Sequence, residues 1–152
     1  MLRLSKLTDY ATVIMSYMAK NHGIVHAAAE ISGATSIALP TVSKILKILV
    51  KAEVLISTRG AKGGYALAQS PDKITVARVI SALEGPIALT ECGISDDGCE
   101  QSDCCDIRGN WNRINDVIQR ALESVTLADM IVSSPKGPVE VRVPVSSIYN
   151  NR

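Results

Sequence analysis

All four cysteines of this 152-residue chain fall within 14 residues, at positions 92, 99, 104 and 105. Cys92, Cys99 and Cys105 are separated by six and five residues, and Gly93 and Gly98 lie between the first two. A zinc ribbon uses two close CxxC pairs, and the chain has none. Three widely spaced thiolates in one glycine-containing loop suit an iron–sulfur cluster better, of two-iron or four-iron type. Cys104 is a spare, because adjacent side chains diverge on an extended backbone and it partners Cys105 poorly. The plain alternative is a loop of inert thiols. Residues 87–106 also carry six carboxylates and no basic residue. Carboxylates raise thiol pKa values, which disfavours free nucleophilic cysteines, and they repel DNA.

A second set of residues has the opposite charge. Lys44, Lys47 and Lys51 recur at helical spacing, and Arg59 and Lys62 flank glycines in RGAKGG (59–64). A lysine-bearing helix face can sit in a major groove, and an arginine on a glycine-rich tip can enter a minor groove. The alternative is a solvated basic face beside an ordinary turn. The formal net charge of +1 hides this division. Residues 1–73 hold nine Lys/Arg against four Asp/Glu, and residues 74–152 hold seven against eleven. A basic working surface in the first half is the natural reading.

Composition bounds the rest. Hydrophobic residues make up 47% and aromatics 3%, so a core is built from Ile, Val, Leu and Ala. No run of about 18 apolar residues exists, and the N-terminus lacks a signal-peptide pattern, which predicts a cytoplasmic protein with reduced cysteines. No nucleotide loop or nucleophile–base pair is present, so the expectation is a binding protein and not an enzyme.

The elements that must position these residues follow from periodicity. A helix is expected over Lys6–Asn21, capped by Ser5 or Thr8, then a short helix over Ala27–Ser32 stopped by Gly33, with GATS (33–36) as a turn. Val42, Ile45, Leu46, Leu49 and Val50 form one apolar stripe of a helix over Leu39–Ala52, with Pro40 in its first turn. Residues 54–58 and 65–68 read as a β-hairpin with a flexible basic tip. A helix over Thr75–Leu83 precedes the cysteine loop. A long helix over Ile107–Ser124 follows, with Ile107, Trp111, Ile114, Val117, Ile118, Ala121, Leu122 and Val125 on its apolar face. Thr126 caps a final turn over Leu127–Ile131. The tail from Ser133 reads as disordered or as an edge strand. His22 and His26 read as surface residues. The fold class is mainly α with a small β-wing. It divides into a winged helix-turn-helix (1–85), a cysteine loop (86–106), a long dimerisation helix (107–131) and a tail (132–152).

The combination resembles the Rrf-two-type winged-helix transcriptional regulators, which include IscR-like and NsrR-like branches and the SUF-operon regulators of iron–sulfur assembly. LSKLTDY (4–10), AEI (29–31), Ile37 to Leu49, and above all STRGAKGGYAL (57–67) carry the likeness, which covers about residues 1–131. The first eleven residues and the closing helix look most like the SUF-operon group. The resemblance implies a homodimer joined through the helix from Ile107, binding a double-stranded operator. It implies Arg59 in the minor groove, with Thr41, Ser43 and Lys44 on bases or phosphates; Lys47 and Lys62 join them from the basic helix face and tip described above. It implies a cluster on Cys92, Cys99 and Cys105. The IscR-like branch takes a histidine three residues after its last cysteine, but that position is Arg108 here. The NsrR-like branch takes an aspartate from the partner's first helix, where this chain has Asp9; the alternative is a carboxylate serving its own helix dipole. The implied function is a cluster-controlled regulator, a repressor of cluster-assembly genes. A nitric-oxide or redox-responsive repressor of detoxification genes, or a zinc-stabilised DNA-binding protein, are the alternatives.

Overall fold

The computed structural model describes residues 3–60, 62–90, 93, 94, 105 and 107–132. The expected positions Cys92, Cys99 and Cys104 and the tail from Ser133 lie outside the described residues. Helices α1 (Lys6–Lys20), α2 (Ala28–Thr35) and α3 (Leu39–Lys51) lead into strands β1 (Leu55–Thr58) and β2 (Gly64–Leu67). A 3-10 turn (Pro71–Lys73), α4 (Val76–Glu84), α5 (Arg108–Glu123) and α6 (Leu127–Ile131) follow. The expected class, mainly α with a small β-wing, holds. No single helix among the described residues is long and apolar enough to cross a membrane.

The core forms where three helical stripes meet. Ala11, Ile14, Met15 and Met18 of α1 pack with Ile31 of α2 and with Val42, Ile45, Leu46 and Leu49 of α3. Val54 and Leu55 close the wing side, and Ile74, Val79 and Leu127 close the other. Ser5 is the α1 cap, accepting from the Thr8 amide at 3.2 Å. Gly23 takes φ +89 just beyond that helix.

Two expectations change. Gly33 does not stop α2, which continues to Thr35 and ends at Ser36 in the left-handed region, φ +57. One interior glycine costs a helix only about 1 kcal/mol relative to alanine. Here the Thr35 hydroxyl donates to the Ile31 carbonyl and the Ser32 hydroxyl to that of Ile37, both at 2.7 Å, tying the turn to the helix. His26, expected on the surface, is 1% exposed. Its main chain exchanges hydrogen bonds with Tyr65, at 2.8 and 2.9 Å, adding a rung beside the wing. Its ring meets the Glu30 carboxylate at 2.8 Å and the Asn21 carbonyl at 3.2 Å, so its polar atoms are buried with partners. His22 is exposed, as expected.

The helix from Ile107 and the final turn capped by Thr126 are separate elements, as expected. The chain turns at Ser124 and Val125, and α6 packs back on α1 and on the 3-10 turn. Hydrogen bonds from Val76 N–H to Val125 and from Leu127 N–H to Ile74, at 2.8 and 2.9 Å, pin the turn. Thr126 and Asp129 form a reciprocal capping box, at 2.8 and 3.2 Å. Thr126→Ala should therefore lower the unfolding free energy by about 1 kcal/mol, read as a lower urea midpoint at constant slope. An unchanged midpoint would mean that the cap contributes nothing to stability.

Candidate nucleic-acid interface and cysteine loop

Helix α3 separates its two faces cleanly. Burial of Val42, Ile45, Leu46 and Leu49 turns Lys44, Lys47 and Lys51 outward, and all three are exposed. Thr41 and Ser43 are half-buried at the flanks of the N-terminal turns. No acidic residue and no side-chain cap occupies that end of α3. The helix therefore offers cations and short hydroxyl side chains on one surface, the chemistry that phosphates and base edges recognise.

The wing places a second cationic point beside it. Leu55 pairs with Leu67 and Thr58 with Gly64, leaving Arg59 and Lys62 exposed at the tip. The glycines here do more than loosen the tip. A Cβ at Gly63 would meet the Thr58 carbonyl oxygen at 2.4 Å, and one at Gly64 would meet that of His26 at 2.4 Å. Both are needed for the second strand to close on the first and to seat on His26. The wing, His26, Glu30 and Tyr17 are one connected unit: Tyr17 donates to Glu30 at 3.0 Å and its ring meets that of His26 edge-on. The His26 and then Tyr17 hydrogen bonds hold the Glu30 carboxyl below the ordinary glutamate range.

Of the expected cluster ligands, Asp9 and Cys105 are described. Asp9 is exposed in the first turn of α1. Cys105 is a free, half-buried thiol, and its carbonyl accepts the Arg108 amide at 3.3 Å as α5 begins. Sequence reasoning missed two residues that tie this region together. Glu84, the last residue of α4, accepts from the Ser5 main-chain N–H at 3.0 Å and from the Thr8 hydroxyl. The carboxylate that satisfies the start of α1 is thus Glu84, from the element that leads into the cysteine loop.

Hydrogen bonds from Ser5 and then Thr8 hold the Glu84 carboxyl below its ordinary value. A lowered folded-state pKa means stability that is present above the unfolded value, about 4.3, and lost as pH falls through the folded one. Glu84→Gln should remove this part of the acid dependence. In matched urea titrations, wild type should lose its advantage over the variant on acidification. A pH-independent difference would show that the carboxylate charge plays no part.

The second missed residue is Asn115, 7% exposed on α5. Its Oδ1 accepts the Leu89 amide at 2.9 Å, and its Nδ2 is buried without a hydrogen-bond partner among the described residues. The signal was available: Trp111, Asn115, Ile118 and Leu122 form one stripe at helical spacing, with a polar residue in it. That stripe faces inward, whereas Ile107, Ile114 and Val117 are 57%, 42% and 48% exposed.

Comparison with known proteins follows the same lines. Residues 4–133 match the model of the family described as Rrf2, iron-dependent transcriptional regulator. The chain is 30% identical to the HTH-type transcriptional regulator IscR of Aliivibrio salmonicida, over 81% of this chain and 73% of that protein. It is 31% identical to the HTH-type transcriptional regulator CymR of Bacillus subtilis, over 85% and 89%. Among solved structures, CymR of B. subtilis, titled the global cysteine regulator, superposes with a TM-score of 0.68 at 32% identity, over 89% of this chain and all of that one. IscR of T. potens superposes with a TM-score of 0.65 at 27% identity, over 90% and 94%.

Proposed function

The chain belongs to the Rrf2 family of winged-helix transcriptional regulators, and from that premise we propose that it is an iron–sulfur cluster-controlled repressor of cluster-assembly genes. The regulator is not an enzyme: its relatives are named as transcriptional regulators. The observation that carries the finer reading is the cysteine loop itself, three well-spaced thiolates between α4 and α5. Two structural features fit such a group. Cys105 stands half-buried at the start of α5, and a buried amide, unpartnered among the described residues, lies against Gly93, the residue after Cys92.

In this account Cys92, Cys99 and Cys105 hold the cluster, Asp9 of a second copy supplies an oxygen ligand, and Cys104 is spare. Since Glu84 already serves the start of α1, exposed Asp9 is available for that role. When bound, the cluster supplies a redox-active centre with one weak ligand. The exposed apolar residues Ile107, Ile114 and Val117 on α5 support a homodimer joined there. Lys44, Lys47 and Lys62 bind phosphates, Thr41 and Ser43 lie against base edges, and Arg59 enters the minor groove. The likeness of the first eleven residues and the closing helix to the SUF-operon group supports assembly genes as the target, with the protein acting on double-stranded DNA in the cytoplasm.

Anaerobic purification tests this reading. It predicts a brown protein with comparable amounts of iron and acid-labile sulfide. A colourless protein carrying zinc would contradict it. The likeness to a protein titled a global cysteine regulator favours a second reading, a regulator of cysteine-related genes without a cluster, and a metal-free preparation that binds DNA would support that one.

A further inference from the structure

We infer that Asn115 is a positioning residue for the group held by the cysteine loop, donating a hydrogen bond to its sulfur; this rests on the cluster reading above. The Leu89 N–H bond to Oδ1 fixes which way the amide faces, because an N–H can meet only the oxygen. Nδ2 then lies against the backbone of Gly93. A Cβ built there would be 2.1 Å from Nδ2, 3.2 Å from Cγ and 3.1 Å from the Ala88 Cβ. Only glycine lets the amide approach this closely.

Nδ2 brings two N–H groups into a place shielded from solvent and finds no acceptor among the described residues. Buried donors without a partner are rare in folded proteins and ask for an explanation. Cys92 directly precedes Gly93, so the donor is placed at the chain segment carrying the first thiolate. Residues 87–106 contain no lysine or arginine that could offset the negative charge of thiolate and sulfide. A neutral amide donor does so without adding a cation to an acidic loop. Hydrogen bonds to cluster sulfur set both retention and potential. Asn115 thus does two things with one side chain: Oδ1 pins the entry of the loop to α5, and Nδ2 faces the sulfur.

The test uses the reduced, cluster-loaded protein labelled with nitrogen-15 at asparagine side chains. Pulsed EPR should show a nitrogen-15 coupling that vanishes in Asn115→Asp, which keeps the acceptor for Leu89 and removes the donor. Under anaerobic chelation that variant should release iron about 10-fold faster than wild type. Gly93→Ala leaves α5 unchanged, crowds the same amide and should show the same acceleration, which covers the case in which Asn115→Asp does not fold. A loaded wild-type protein without the coupling, or release at the wild-type rate in the folded variants, overturns the inference alone. A wild-type protein that takes up no cluster overturns the cluster reading, and this inference with it.

Discussion

Serine at Cys92, Cys99 and Cys105 together should abolish iron and sulfide uptake, while Cys104→Ser should leave both near the wild-type level. The serine hydroxyl is a hard, un-ionised donor at neutral pH, whereas iron in a cluster needs soft thiolates. Folding should survive the triple change. Cys105 is only half-buried and lies outside the packed core of α1, α2 and α3. The check is iron and sulfide content beside circular dichroism. Loss of the cluster in Cys104→Ser, with retention in Cys105→Ser, would exchange the roles of the two neighbours. Retention in the triple variant would remove the loop from the account.

Arg59→Ala should weaken operator binding by about 5- to 150-fold, corresponding to about 1–3 kcal/mol for a lost arginine contact. Arg59 is exposed at the wing tip and far from the core, so the cost should fall on binding and not on stability. The closure of Gly63 and Gly64 on the Thr58 and His26 carbonyls fixes the base of the tip. Lys44→Ala should act differently. A phosphate contact contributes across all sequences, so affinity should fall on specific and non-specific DNA alike, with a shallower salt dependence. Titrations of labelled duplex at fixed salt separate the two. An Arg59→Ala protein with wild-type affinity would take the wing out of the interface.

The elements with strong local periodicity were legible. The α3 stripe Val42–Ile45–Leu46–Leu49 came out with one end of the expected helix correct and the other within one residue. The wing strands shifted by a single residue, and α6 kept its threonine cap. What stayed hidden was non-local. Glu84 meets Ser5 across 79 positions, and nothing near either residue announces it. His26 looked like a loop histidine because its partners, Tyr65 and Glu30, come from the wing and from α2. Gly33 looked like a stop because the hydroxyls of Ser32 and Thr35 that hold the following turn are invisible to periodicity. Asn115 was passed over because the α5 pattern was read for its apolar members. Its polar member is the one that touches the loop.

The Glu84 contact gives the account a route from loop to DNA. Glu84, the last residue of α4 before the cysteine loop, meets the start of α1, and α1 packs on α2, α3 and β2. A change in the loop that shifts Glu84 therefore bears on the elements that orient α3 and the wing. Allosteric couplings of about 1–3 kcal/mol are typical, and that range corresponds to about 5- to 150-fold in affinity. The direct measurement is the operator affinity of cluster-loaded and cluster-free protein, both anaerobic and at the same salt. The account predicts tighter binding by the loaded form, within that range, at operators of cluster-assembly genes. Equal affinities of the two forms across several such operators would contradict it.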